Sequence, residues 1–561
     1  MEPEDTSLCP ICKEHRENAD HNNSVNHRFY FMKWAYNEYR KALVKDRHGI
    51  VLEVTEEKMK EPSSNCNQIL TSASYKIPLA CDFQTVDNKQ SFTIVRTFVS
   101  YLNSERLSVH YVDHYSIPPK YAKLLKHGLR PFDKMTSAEE NDLRELNQLV
   151  QRLTKDNYSK FWHILLWMEE KAQGLMLTKF NMEEVTMNII NDKVLVLEVP
   201  GLAEKRPSVI VGDFIRIRIT GDHTAYKGFV NKVNEKTVEI LHVEEELMDC
   251  IRTDPGTKLD VSFILSRLAF ERMHQGVDRV VRTGMVATLF PRINVRRNSN
   301  IIHELRDSDF CNREIIHNFE QKNAVLKILN SVQALPYIVF GPPGTGKTVT
   351  IVEAILQIKK HTKKRILVCA PANSACDVLA LKLMPYCTKD ELIRIHSTTR
   401  ERNTITKDLM EYSNVEDDEF TKVEMKKLLS YKIVVTTLTL IGRFQRDYNP
   451  DCVFVDEAAQ ASEPETDIAI GLLSVGKQVV LAGDPKQLGP MVTDCAAKLG
   501  LGISLLERLM NYEVYKPDAS TKAYDSNFIT MLKLNFRSHP NILLIPNQLF
   551  YDNNLEYVIM T

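Results

Sequence analysis

The segment Gly341-Pro342-Pro343-Gly344-Thr345-Gly346-Lys347-Thr348 has the spacing G-x-x-x-x-G-K-T. An apolar run, Tyr337-Ile338-Val339-Phe340, precedes it, and a helical pattern from Val349 to Lys360 follows. Strand, glycine-rich loop and helix in that order form a phosphate cradle. The glycines let the backbone curl until its N–H groups converge on an anion, and the helix N-terminus adds its positive dipole end at the same point. Lys347 can then reach the β- and γ-phosphates, and Thr348 offers an oxygen to Mg²⁺. The chain is expected to bind a nucleoside triphosphate through these eight residues, on a parallel α/β sheet.

Many NTPases share such a loop, so its downstream partners decide what kind this is. Cys452-Val453-Phe454-Val455 reads as a buried strand ending in Asp456-Glu457-Ala458-Ala459-Gln460. Asp456 at the strand end suits Mg²⁺, and Glu457 suits orienting or deprotonating the attacking water. Otherwise an acidic pair after a strand is often only a helix N-terminus. A further strand, Gln478-Val479-Val480-Leu481-Ala482, leads into Gly483-Asp484-Pro485-Lys486-Gln487-Leu488-Gly489-Pro490, where Gln487 is placed to sense the γ-phosphate. Leu534-Asn535-Phe536-Arg537-Ser538-His539-Pro540 supplies Arg537 for developing phosphoryl charge. Upstream, Gln321 in Asn318-Phe319-Glu320-Gln321-Lys322 is placed to read adenine with its amide. A lone Gln or Arg is usually a surface residue; the ordered series carries the assignment.

The 561 residues exceed one ordinary core, so several domains are expected. Lys+Arg 72 against Asp+Glu 73 gives a net charge of -1, so any nucleic-acid binding has to come from local basic surface. No apolar run reaches the roughly 18–20 residues of a membrane helix. The acidic N-terminus lacks a signal-peptide pattern. Eleven cysteines without a framework fit reduced thiols in a cytosolic or nuclear compartment.

Composition and patterning divide the chain into a Cys/His-rich segment (1–30), a β-rich domain (31–115), a helical connector or stalk (116–185), a small β-barrel (186–300) and a region of alternating strands and helices; that last region resembles a RecA-like lobe (301–530) followed by the start of a second lobe (531–561). In the first segment, Cys9-Pro10-Ile11-Cys12 with His21 and His27 offers two thiolates and two imidazoles for tetrahedral zinc. The Cys12-to-His21 interval is shorter than the roughly 12 residues of C₂H₂ fingers. A zinc knuckle and a solvated tail therefore both stand as readings. In the barrel, Arg216, Arg218, Lys227 and Lys232 near Phe229 suit strand contact and stacking, or an ordinary outward face.

Taken together with Leu367-Val368-Cys369-Ala370-Pro371-Ala372-Asn373-Ser374, the motor motifs resemble superfamily 1B helicases of the up-frameshift-like group over residues 315–555. By that resemblance Asn373, Ser374, Thr436 and Thr437 would contact a single strand; otherwise they are capping and turn residues. Leu197-Glu198-Val199-Pro200-Gly201, Tyr226-Lys227-Gly228-Phe229-Val230 and Gly500-Leu501-Gly502-Ile503-Ser504 are similar to the Armitage / Moloney-leukaemia-virus-10 branch. That branch implies an ATP- and Mg²⁺-dependent RNA helicase moving 5′-to-3′ on single-stranded RNA. It implies partnership with Argonaute/PIWI-class small-RNA silencing machinery and residence in cytoplasmic RNA granules (P-bodies). The family closes ATP between two lobes, and this chain stops at Thr561, early in the second. A chain that binds nucleotide but hydrolyses it poorly is the expectation, as a fragment or short isoform. A non-hydrolysing RNA-binding adaptor and a DNA helicase of the same superfamily remain open.

Overall fold

The computed structural model describes residues 115–558 apart from 205, 292–302, 332–334, 418 and 445–447. The zinc candidates Cys9, Cys12, His21 and His27, and the expected β-rich domain except its last residue, lie outside the described residues. The architecture below belongs to one compact unit spanning 112–561.

A helical stalk opens the described part: α1 (Ala122–Lys126), α2 (Ser137–Val150) and α3 (Tyr158–Leu177). Thr136 starts α2 with a capping box, its hydroxyl accepting from Glu139 N while the Glu139 carboxylate accepts from Thr136 N. Leu143, Leu146 and Val150 recur at helical spacing and are buried, as are Phe161, Trp162, Leu165 and Leu166 of α3.

Seven antiparallel strands follow: β1 (Met182–Val185), β2 (Asn188–Ile190), β3 (Val194–Glu198), β4 (Phe214–Ile219), β5 (Ala225–Val233), β6 (Thr237–Leu241) and β7 (Leu259–Ile264). Their order is β1-β7-β4-β5-β6-β3-β2, so the two edge strands are consecutive in sequence. Period-2 patterning shows in β4, where Ile215 and Ile217 are buried and Arg216 and Arg218 exposed. With α4 (Glu245–Thr253) the sheet encloses its own core, including Leu195, Leu197, Ile240 and Met248.

The barrel ends at Ile264, short of the expected 300. Residues 268–282 instead form α5 (Leu268–Arg282), because Phe270, Val277 and Val280 repeat at helical spacing and bury one face. This helix packs back on the stalk and motor. Gly276 lies so close to the motor that a Cβ there would stand 2.7 Å from the Ile468 nitrogen.

The motor is a seven-stranded parallel sheet, the α/β layer expected from alternating strands and helices. Its strands are β8 (Tyr337–Phe340), β9 (Ile366–Ala370), β10 (Leu392–Arg394), β13 (Ile433–Thr437), β14 (Cys452–Val455), β15 (Gln478–Gly483) and β16 (Ile529–Met531), ordered β10-β13-β9-β14-β15-β8-β16. A small hairpin, β11 (Val415–Glu416) with β12 (Glu419–Phe420), stands apart. Fully buried apolar strands such as Cys452–Val455 and Gln478–Gly483 are what a sheet covered on both faces requires. The helices that matter for the site are α6 (Phe319–Leu329), α7 (Lys347–His361), α8 (Asn373–Leu383), α9 (Glu463–Ile470) and α10 (Leu505–Met510). Beyond β16, β17 (Leu534–Asn535) and β18 (Glu556–Tyr557) pair in parallel around α11 (Pro540–Phe550). No helix among the described residues is long and apolar enough to cross a membrane.

Candidate functional site

Parallel strands deliver their C-terminal ends to one edge of the sheet, and ligand sites in open α/β sheets form there. The phosphate loop leaves β8 at that edge. Gly341 N donates to Gly483 O at 3.1 Å, tying the loop to the end of β15. Gly344 and Gly346 hold φ of +76° and +79°, a region side chains disfavour. Close approach also matters: a Cβ on Gly344 would come within 2.7 Å of Arg537 Cβ, and one on Gly346 within 2.6 Å of Gln321 Nε2. Buried Thr345 closes the curl by donating its hydroxyl to Pro342 O at 2.7 Å. Gly346 is the N-cap of α7, so the first-turn N–H groups of that helix face the cradle.

Around the loop stand the charged groups. Lys347 Nζ contacts Glu457 Oε1 at 2.7 Å, and Thr348 Oγ1 donates to Asp456 Oδ2 at 3.1 Å. Asp456 is buried, and its other oxygen accepts from Glu457 N at 2.9 Å. Burial pushes the Asp456 carboxyl above the usual range, opposed by the Lys347 ammonium. Glu457 carries a left-handed backbone, φ 53°, which for a non-glycine residue costs on the order of 1–3 kcal/mol and tends to mark functional positions. The donor set is hard oxygen, a hydroxyl and a carboxylate in contact at a phosphate cradle, and it fits Mg²⁺ bound with a triphosphate.

Three other expected residues are placed less simply. Gln321 is buried, and its Nε2 donates to Gly346 O at 3.2 Å and Thr350 Oγ1 at 3.1 Å. Its amide nitrogen therefore braces the phosphate loop. Gln487 is exposed beyond β15, with Nε2 donating to Asp484 Oδ2 at 3.0 Å. Arg537 is exposed beside Gly344, held there because Phe536 N donates to Gly344 O at 2.9 Å. Asn535, which the sequence reading passed over, secures that segment. Its Nδ2 donates to Pro343 O at 2.6 Å, and its Oδ1 accepts from the backbones of Arg537 and Ser538. An Asn two residues before an Arg in a turn is the signal that could have found it.

The expected strand contacts divide. Asn373 and Ser374 are exposed at the start of α8. Arg394, fully buried, donates to Asn373 Oδ1 at 2.9 Å and to Asp377 Oδ1 at 2.9 Å. Asp377 also receives Arg400, and these two guanidinium groups hold its carboxyl below the usual range against the effect of burial. Because arginine only donates, the oxygen of the Asn373 amide faces inward and its nitrogen outward. Thr436 is fully buried with its hydroxyl on Ile395 O at 3.3 Å. Thr437 caps the short helix 438–441 through Leu440 N. Arg394 carried no motif signal; only the fold reveals it.

On the barrel, Phe214 and Phe229 lie 4.3 Å apart by centroid, with Lys227 Nζ 3.4 Å above the Phe214 ring. Burial, with Arg216 nearby, lowers the Lys227 pKa. A Cβ at Gly212 would sit 3.6 Å from Thr399 Cγ2, so the barrel loop before β4 abuts the motor loop that carries Arg400.

Known proteins match both parts of this arrangement. The family model described as AAA domain matches residues 317–426 and 397–494, and the one described as Helicase MOV-10, beta-barrel domain matches 180–263. Helicase mov-10-B.1 of Danio rerio is 41% identical over 73% of this chain and 41% of its own. Helicase MOV-10 of Gallus gallus is 36% identical over 78% of this chain and 47% of its own. RNA helicase Mov10l1 of Homo sapiens is 31% identical over 81% of this chain and 42% of its own. The chain spans less than half the length of each of these relatives.

Proposed function

Since the chain carries the motor and β-barrel of the MOV-10 branch of superfamily 1B helicases, we propose that it is the nucleotide-binding part of an ATP-dependent RNA helicase. The observation that supports this most is the meeting of Lys347, Thr348, Asp456 and Glu457 at one sheet edge, with the Arg537 segment laid over the phosphate loop. Gly341, Pro342, Pro343, Gly344, Thr345 and Gly346 shape the cradle, and Lys347 exchanges Glu457 for the β- and γ-phosphates. Thr348 and Asp456 would hold Mg²⁺, which supplies charge neutralisation between the phosphates. Glu457, released from Lys347, is then available to orient or deprotonate the attacking water. Arg537 meets the charge developing on the transferred phosphoryl group, and Gln487 registers its presence.

Asn373 and Ser374 offer an outward amide and hydroxyl to the backbone of a single strand, and the Phe214, Phe229 and Lys227 face suits stacking and phosphate contact. RNA as that strand, 5′-to-3′ movement, Argonaute/PIWI-class silencing partners and residence in cytoplasmic RNA granules rest on the family resemblance. Similarity to the RNA helicase Mov10l1 supports the first of these.

The test is the ATPase rate of the 1–561 chain with and without single-stranded RNA, beside Lys347→Ala. Nucleotide binding that Lys347→Ala removes is the expected result, with hydrolysis by wild type slow. Nucleotide binding indifferent to Lys347→Ala would sink the proposal.

A further inference from the structure

Asp484 is fully buried at the end of β15, a costly place for a carboxylate unless donors surround it. Three donors reach it. Lys486 N bonds Oδ1 at 2.9 Å, Gln487 Nε2 bonds Oδ2 at 3.0 Å, and the Tyr551 hydroxyl bonds the same Oδ2 at 2.8 Å. Tyr551 lies at the C-terminal end of α11, is itself buried, and sets its ring 6.4 Å from that of Phe340, the residue before the phosphate loop. One carboxylate oxygen thus serves both the exposed Gln487 amide and a hydroxyl from the segment beyond the first sheet.

We propose that Tyr551 is a positioning residue for nucleotide-state sensing: its hydroxyl keeps Asp484 satisfied when Gln487 turns away to a γ-phosphate, and so couples α11 to that turn. This rests on the nucleotide-binding reading above. The physical reason lies in the asymmetry of buried hydrogen bonds. A buried acceptor stripped of its last donor on one oxygen incurs the full desolvation penalty, whereas one that retains a donor does not. With Tyr551 in place, Gln487 leaves Oδ2 without orphaning it. Without the hydroxyl, Asp484 holds Gln487 back, and only a ligand that calls on Gln487 is affected. A diphosphate makes no such call.

The experiment is calorimetric titration of the 1–561 chain with Mg²⁺ and either AMP-PNP or ADP, for wild type, Tyr551→Phe, Gln487→Ala and the double variant. The ratio of the two affinities does not depend on what fraction of a variant is folded, so partial misfolding leaves it readable. Tyr551→Phe is expected to weaken AMP-PNP by about tenfold, one charge-assisted hydrogen bond, and to leave ADP within about twofold. The double variant should be no worse than Gln487→Ala alone, since both act through one group. Equal weakening of both nucleotides, an unchanged ratio, or additive losses would overturn the coupling. Wild type that binds both nucleotides without preferring AMP-PNP would overturn it too, while leaving nucleotide binding intact. Wild type that binds neither would overturn the functional reading and this inference together.

Discussion

Several single residues hold conformations or charges that only their surroundings make tolerable. Gly344 has φ +76° and no room for a Cβ beside Arg537. Gly344→Ala therefore meets a left-handed penalty of about 1–2 kcal/mol plus a clash, and should weaken AMP-PNP at least tenfold in a calorimetric titration. Asp467 is fully buried, has one oxygen without a hydrogen-bond partner, and shares the Tyr158 hydroxyl with Glu463. One hydroxyl proton cannot serve both carboxylates. Burial and the Glu463 charge push the Asp467 pKa well up, so a neutral Asp467 can donate to Tyr158 while Tyr158 donates to Glu463. The folded state then binds a proton that the unfolded chain gives up near the ordinary value of about 3.9. This stability is fully present below that value and is lost as pH rises toward the folded-state pKa. Asp467→Asn, with nothing to ionise, should melt above wild type at pH 8, with the difference shrinking toward pH 4. A thermal-shift series over pH that shows no convergence would contradict the neutral acid.

Among elements, α3 reaches two parts of the machinery. Tyr158 at its start bonds Glu463 and Asp467 on α9, the helix that follows the Asp456-Glu457 turn. Glu169 further along accepts from Thr493 N and its hydroxyl, just past the Gln487 loop. Arg508 on α10 closes the group with two bonds to Glu463, both 2.6 Å. Arg508→Leu leaves Glu463 buried without its cation and should destabilise the chain by about 3–5 kcal/mol, read as a lowered denaturant midpoint. The link between β10 and α8 makes a different prediction. Arg394→Lys removes a planar fork that holds both Asp377 and Asn373, and a lysine cannot reproduce it. Affinity for a labelled single-stranded RNA, measured by anisotropy, should fall severalfold while AMP-PNP affinity is unchanged. An equal fall in both would mean Arg394 only supports the fold.

At the largest scale, the described residues place a sheet with its own core beside a helical stalk and the motor. The barrel's buried residues form a cluster separate from those of the motor, and its first and last strands pair, so both chain connections leave from one side. A domain joined in that way can fold alone. A 178–266 fragment should show a β-type circular dichroism spectrum and a cooperative melt; a fragment without either would show that the barrel depends on the motor.

How much of this was legible in the sequence follows from the range of the interactions involved. The phosphate loop, the Asp456-Glu457 turn and the buried strands follow from local patterns: glycines where φ must be positive, apolar runs where both faces are covered, a carboxylate where a strand ends. Short-range backbone rules fix such features, so the parallel motor sheet and the barrel strands could be read before any coordinates. The end of the barrel at Ile264 was missed because a helix docking on another domain looks, in sequence, like any amphipathic segment. The inward turn of Gln321, the burial of Thr436, the grip of Arg394 on Asn373 and the Tyr551–Asp484 bond depend on partners from 21 to 67 residues away where one is a side chain pair. A side chain's identity states which bonds it can make. Which of them it makes is decided only when the tertiary structure removes water and leaves particular partners within reach.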